Sequence, residues 1–372
     1  LRVLLLSAYE AHSHRYWRDG VLDLLGDWEW DVLSLPPRHF SWRVRGNALY
    51  WSEVERDLLR RPRDLVLATS MVDLATLRGL VPELGAVPAA LYFHENQFHY
   101  PSPAQPHGLL EAQMVSLYSA MAAARLLFNS GWNRDTFIDG CAALLGRLPD
   151  FVPGGLAERM RAKSSVLPVP VAPLTGVRPA WPGAVRGGPG EPLRLAWLGR
   201  FEHDKGPEGL LHALRALEAT GTRYELAVAG PQFRSLPPAL ARVREEFAHR
   251  LVHFGFVAHE VDYHGLLAGA DVALSTALHE FQGIALLQAV SAGCIPLVPD
   301  REVYPEIYPH HYRYASHSGD PGAEAGALVD RLLDIADQLR EGVLVAPEIA
   351  AVQPAALAPA YRRELLAAAG AG

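Results

Sequence analysis

Trp197-Leu198-Gly199-Arg200-Phe201-Glu202-His203-Asp204-Lys205-Gly206-Pro207 is the stretch whose reading decides the fold. The run Arg194–Leu198 reads as a short buried strand that stops at Gly199. A charged loop follows, and Gly206-Pro207 open a helix, since proline is tolerated in a helix's first turn. Strand, loop and helix in that order make one βα unit. An anion at this turn would meet the helix N-terminus, the planar Arg200 fork and the Lys205 ammonium together, a cradle suited to a diphosphate. The chain has only two lysines, Lys163 and Lys205, and otherwise uses arginine. That choice points to a compact charge being needed at 205. The alternative is an ordinary charged loop before a helix.

Outward from this unit the alternation repeats. After it come the strand candidates Glu225–Ala229, Val252–Phe254, Val272–Ser275 and Ile295–Val298, with helices expected near 206–219, 238–249, 263–268 and 284–292. Before it, Val3–Ser7, Asp31–Leu35, Leu65–Ser70, Ala89–His94 and Leu126–Ser130 have the same short apolar form, with amphipathic spacing over 109–124 and 132–145. Such alternation implies parallel sheets with helices on both faces. Between the halves, 168–192 is dense in Pro and Gly and carries neither pattern. The expected organisation is α/β: a doubly wound Rossmann-like domain over 1–172, a linker over 173–192, and a second such domain over 193–350. The terminal segment 351–372 holds an Ala-rich helix over 354–369 that in this design often returns to the first domain. Ligands of such sheets bind outside the carboxyl ends of the strands, which predicts an interdomain cleft.

Bulk properties agree. A length of 372 residues suits two domains, and 49% hydrophobic with 20% charged residues suits folded cores. No uncharged apolar run approaches the roughly 18 residues a spanning helix needs. Cys141 and Cys294 sit in apolar surroundings and read as reduced thiols of a cytoplasmic protein. A net charge of −7 argues against a generally basic nucleic-acid binder. It leaves room for a local patch, Arg38 to Arg63, where Arg38, Arg43, Arg45, Arg56, Arg60, Arg61 and Arg63 are interleaved with Phe40, Trp42, Tyr50 and Trp51. A solvated surface is the other reading of that patch.

Three further loops carry candidate chemistry. In His279-Glu280-Phe281-Gln282-Gly283-Ile284, Glu280 falls in a loop where it would hold sugar hydroxyls, and Gly283 lets backbone N–H groups approach a ligand. Gln288, one and a half turns into the following helix, would meet a ribose; glutamate is a poor N-cap, which weighs against a structural role for Glu280. In His94-Glu95-Asn96-Gln97 four consecutive polar side chains leave a strand's carboxyl end. They would face an acceptor or the transferring sugar, with His94 either a general base or a satisfied structural histidine. In the first loop Ser13 and His14 either touch substrate or Ser13 caps the helix. That loop lacks the glycines of a nucleotide fingerprint. His310-His311 lacks metal-ligand spacing.

These residues resemble the donor site of retaining GT-B glycosyltransferases of the family-4 type. More narrowly, the chain is similar to the tRNA-queuosine α-mannosyltransferases, through Tyr92–Gln97, Phe128-Asn129-Ser130, Phe201–Lys205, His279-Glu280-Phe281, Val303–Ile307 and Phe40-Ser41-Trp42-Arg43. The resemblance implies a mannosyltransferase moving mannose from GDP-mannose to queuosine in tRNA, with retention and with no metal required. Gly199, Arg200, Lys205, Phe256, Glu280, Phe281, Gly283, Ile284 and Gln288 would bind the donor, and Arg43, Ser13, His14 and His94–Gln97 the acceptor. Arg200, Lys205, Glu280 and His94 would be catalytic. The chain departs from the family in having Gln288 where a second glutamate is usual, and in the first loop's missing glycine pair. Other readings are a retaining transferase on another small or lipid-linked acceptor, and a nucleotide-sugar-binding protein without transfer activity.

Overall fold

The computed structural model describes residues 1–99, 109–181, 191–232 and 235–370. The chain forms two compact units, Leu1–Pro170 with Pro354–Gly372, and Val171–Gln353.

The first unit is built on a six-stranded parallel sheet of β1 (Arg2–Ser7), β2 (Glu29–Ser34), β3 (Leu65–Thr69), β4 (Ala89–Phe93), β5 (Arg125–Phe128) and β6 (Ser164–Val166), in the order β2-β1-β3-β4-β5-β6. Helices cover both faces, so the central strands are apolar throughout: every residue of β3 and β4 is buried. The terminal helix Pro354–Ala369 belongs to this unit. Its Tyr361 is fully buried, accepts from Trp17 Nε1 at 3.0 Å and lies 3.0 Å from the carbonyl of Pro168.

The second sheet comprises β7 (Leu193–Leu198), β8 (Tyr224–Ala229), β9 (Leu251–Gly255), β10 (Val272–Leu274), β11 (Ile295–Pro299) and β12 (Arg313–Tyr314), ordered β12-β11-β10-β7-β8-β9 and again parallel. In each unit the chain winds outward from one strand, returns, and continues on that strand's other side. The switch lies between β1 and β3 in the first sheet and between β7 and β10 in the second. Loops at the carboxyl ends of these strand pairs therefore line the natural ligand crevices.

One expectation needs correction, and several elements carried no expectation. Residues 173–181 are not a free linker: Trp181 is buried with its indole N–H on Glu225, Ala180 N–H donates to the Gly265 carbonyl, and Leu174 N–H donates to Ser291. The rest of the expected linker, 182–190, lies outside the described residues. The arginine-aromatic stretch, which carried no secondary-structure expectation, is a helix, Phe40–Val54. The edge strands β6 and β12 and the helix Pro321–Arg340 also went unread. The two strands run only three and two residues, too short for a pattern.

Candidate active site

Two loops meet at the switch point of the second sheet. The first leaves β7 and passes through a turn of 3-10 helix, His203–Lys205, into the helix Pro207–Ala219. Gly206 joins them with φ +66°, and a Cβ there would stand 1.9 Å from the carbonyl oxygen of Thr276. Only glycine fits. Gly230 approaches Gly199 as tightly: its Cβ would lie 1.7 Å from the Gly199 oxygen. The second loop leaves β10. Thr276 Oγ1 lies 2.8 Å from the Gly206 carbonyl and accepts from Trp197 Nε1 at 2.9 Å, while Leu278 N–H donates to the Asp204 carbonyl at 2.9 Å. The two loops are thus one hydrogen-bonded block.

That block brings Lys205 and Glu280, 75 residues apart, into a 2.9 Å ion pair. Lys205 also reaches Asp204 at 3.2 Å, and Arg200 reaches Asp204 and Glu202, each at 3.1 Å. Burial works against the charge of Lys205, but Glu280 and Asp204 outweigh it and raise its pKa above the ordinary value. Burial likewise pushes both carboxyls up; Lys205 overcomes it at Glu280, and Lys205 with Arg200 at Asp204, so both lie below their usual range. Lys205, Glu280 and Asp204 are therefore all ionised at neutral pH. The side chains of Lys205 and Glu280 keep 15% and 20% of their surface exposed, so the pair remains open to a ligand.

Outer groups hold Glu280 in place. Its Oε1 accepts the N–H of Phe281 at 3.1 Å. His279 Nδ1 pairs with Glu302 at 2.8 Å, and Glu302 sits at φ +57°, an uncommon conformation for a glutamate. Arg301 donates to the Ala277 carbonyl and binds Glu324 through both Nη atoms. The ring of Phe281 is buried edge-on to His279. Gly283, at φ +73°, precedes the helix Ile284–Ser291, where Ile284 and Gln288 are half-buried; Gln288 Oε1 lies 3.5 Å from the Tyr263 hydroxyl. Phe256, 61% exposed, stands beyond the edge strand β9. Asp204, Thr276 and Glu302 were not among the sequence candidates. Asp204 lay within the charged run, while Thr276 and Glu302 carried no signal of their own.

The first unit treats its candidates differently. Asn96 is not available to an acceptor. Its amide N–H groups face Asn133 Oδ1 at 2.9 Å and Thr136 Oγ1 at 3.0 Å, and its Oδ1 accepts from the N–H of Phe98 and His99. Asn133 bonds Asn129, and Asn129 bonds the His94 carbonyl. The asparagines of the two resembling stretches therefore build the loop itself. His94 is packed among the rings of His14 (4.1 Å, tilted), Tyr92 (4.8 Å, tilted) and Trp17 (4.9 Å, edge-on). Burial first, and the neighbouring His14 second, hold its pKa well below the ordinary value, so the ring is neutral. Its Nε2 is buried and has no hydrogen-bond partner among the described residues. A general base must reach the hydroxyl it serves, and in this structure the ring of His94 is enclosed by its aromatic neighbours. His14 Nδ1 lies 2.5 Å from the Tyr9 carbonyl. Ser13 is the second helical residue and exposed; Ala11 occupies the N-cap with no side-chain bond, so Ser13 is not a cap. Glu95 remains partly exposed, its carbonyl bound by Ser70, and Gln97 is buried with its carbonyl accepting from Gln113.

The arginine patch is also divided. Arg45 pairs with Asp73, Arg56 with Glu53, Arg60 with Glu83 and Arg63 with Asp31. Arg38, Arg43 and Arg61 have no ion pair among the described residues.

Residues 2–171 match the family described as tRNA-queuosine alpha-mannosyltransferase N-terminal, and residues 185–341 match the glycosyl transferases group 1 family. The tRNA-queuosine alpha-mannosyltransferase of Drosophila melanogaster is 32% identical over 318 residues, 84% of this chain and 83% of that protein. The chain belongs to this family. As a tRNA-queuosine alpha-mannosyltransferase family member it is a glycosyltransferase of GT-B architecture. A GDP-mannose-dependent alpha-(1-6)-phosphatidylinositol dimannoside mannosyltransferase of Mycobacterium tuberculosis is 32% identical over 116 residues, 31% of this chain and 29% of that protein. Among solved structures, Anabaena Alr3699/HepE in complex with UDP and glucose superimposes with a TM-score of 0.67 at 14% identity, covering 99% of this chain and all of that one. The apo lipopolysaccharide outer core galactosyltransferase WaaB superimposes with a TM-score of 0.61 at 12% identity over 99% of both chains. Both likenesses are of fold. No helix of the described residues is long and apolar enough to cross a membrane.

Proposed function

We propose that the chain transfers mannose from GDP-mannose to queuosine in tRNA, with retention at the anomeric carbon. The observation that carries the transfer chemistry is the Lys205–Glu280 pair with Arg200 beside it, on two loops locked together at a topological switch point. The acceptor rests on the family relationship. In this reading the bond from the anomeric carbon to the donor diphosphate breaks, and an acceptor hydroxyl takes its place. Arg200 and Lys205 receive the charge that builds on the departing diphosphate, so no metal is needed, and such preorganised charge is commonly the largest catalytic contribution. When diphosphate takes Lys205, the Glu280 carboxylate turns to the sugar hydroxyls. Phe256, Gly283, Ile284 and Gln288 lie on the donor's nucleoside side. Glu95 and Gln97 bound the acceptor side in the first unit. The protein would work in the cytoplasm, where tRNA and reduced thiols are found.

The test is incubation of the purified chain with labelled GDP-mannose and queuosine-containing tRNA, with unmodified tRNA as control. Label on the queuosine tRNA alone is the expected result. Equal label on both tRNAs, or no label while GDP-mannose still raises the melting temperature, would remove queuosine as the acceptor and leave the donor site standing.

A further inference from the structure

Trp42 is 57% exposed although it is the largest side chain on its helix face. Its indole does not project from the helix. A Cβ at Gly46, one turn on, would stand 2.4, 2.6 and 2.7 Å from Cε2, Cζ2 and Cδ2 of Trp42. The ring therefore lies across Gly46, with one side on the helix and the other open. Glycine inside a helix is destabilising, and here its vacant side-chain position is what lets the indole lie down. Tyr50, two turns further along, is 44% exposed. At the helix start Phe40 packs edge-on against Tyr9 at 5.9 Å. Tyr9 stands two residues beyond β1, and its carbonyl holds His14. Phe40 thus ties the start of the helix to the carboxyl end of β1, one of the two strands flanking the first unit's switch point. Arg38 is exposed, and Arg43 is half-buried with its Nε unpartnered. Neither is neutralised among the described residues, unlike Arg45 on Asp73.

An indole seated flat presents a face, whereas a protein pocket takes a projecting side chain. Faces of this kind, beside arginines, suit unpaired nucleobases, which stack on aromatic rings whatever their sequence. We propose that Trp42 is a stacking platform for an unpaired base of the acceptor RNA, with Arg38 and Arg43 on its phosphates. The proposal rests on the RNA-acceptor reading above and names the surface that engages the RNA.

The experiment measures binding of a hairpin RNA with an unmodified single-stranded loop to the full chain and to three variants. Trp42→Ala is expected to weaken binding roughly tenfold, the loss of one base–aromatic stack, and Trp42→Phe to keep most of it. Gly46→Ala, which retains the tryptophan but displaces the ring, should approach the Trp42→Ala value. A cooperative melting transition of the first unit in all three shows that they are folded, and GDP binding, which reads the second unit, should stay at the wild-type level. RNA binding unchanged in Trp42→Ala overturns the proposal. So does loss of self-association in Trp42→Ala with RNA affinity intact, which would give this face to a second copy of the chain. If the wild type mannosylates queuosine tRNA and Trp42→Ala matches its KM for tRNA, the platform alone falls. If the hairpin binds through Trp42 and nothing is transferred, the acceptor reading falls and the RNA surface stands.

Discussion

Replacing Lys205 with methionine keeps the unbranched stem of the side chain, one atom shorter, and removes its charge. Glu280, at 2.9 Å, then loses its cation, and Asp204, at 3.2 Å from Lys205, keeps only Arg200. Breaking a fully buried pair costs about 3–5 kcal/mol because a charge is left uncompensated. Here the partners keep 15% and 20% exposure, and Arg200 still faces Asp204, which brings the expected loss to roughly 2 kcal/mol after screening. For a unit of this size that is a fall of about 4–8 °C in melting temperature. Without Lys205, burial is the largest remaining influence on Glu280, and its pKa rises. A carboxyl held below its unfolded pKa stabilises the fold above that pKa and loses the contribution as pH falls through the folded value. The wild-type contribution should therefore be complete above the unfolded pKa and fade in acid, and with that carboxyl no longer held down in the variant the gap between the two proteins should narrow as pH falls. On transfer the effect should be larger. Removing one preorganised group facing developing negative charge costs about 10²–10³ in rate. The assay is kcat and KM for labelled GDP-mannose on queuosine tRNA, run beside melting curves from pH 4 to about 8. A variant that melts lower but transfers at the wild-type rate would refute the argument, because the pair would then be structural only.

Gly206→Ala forces a Cβ to within 1.9 Å of the Thr276 oxygen at φ +66°, so the second unit should lose at least about 1–3 kcal/mol, read as a lowered denaturant midpoint. His94 is neutral and buried, with a pKa depressed first by burial and then by His14. Its contribution to stability is complete above the unfolded value of 6.5 and drains away as pH falls below it; His94→Phe should flatten that slope in melting temperature against pH. Tyr361→Phe leaves the Trp17 indole N–H without its acceptor and should cost about 1–3 kcal/mol by urea unfolding, while the nucleotide affinity of the second unit stays the same.

Much of the fold was legible because a parallel sheet covered on both faces demands unbroken apolar runs, and β1, β3, β4 and β7 supply them in Val3–Leu6, Leu65–Ala68, Ala89–Phe93 and Leu195–Leu198. The helix Phe40–Val54 was not legible. Its apolar residues are split between a buried side, with Val44 and Trp51, and an exposed side, with Trp42 and Tyr50, so no clean stripe marks it. Segment 173–181 was misread because Pro and Gly content reports the absence of regular structure, and packing such as that of Trp181 does not require any.

The same division runs through the candidate site. Local sequence was enough to put Arg200 and Lys205 in a loop between strand and helix, and Glu280 in another, because backbone preferences act over a few residues. That Lys205 and Glu280 touch was decided by the order of strands, which sets β10 beside β7 and brings together loops 75 residues apart. Residue types in the His94–Gln97 run could announce polar chemistry but not its direction. Only the packed unit turns His94 and Asn96 inward, where aromatic rings and asparagine amides hold them, and leaves Glu95 part-exposed. Side-chain type is a property of sequence, whereas direction and partner come from the cooperative closing of a core.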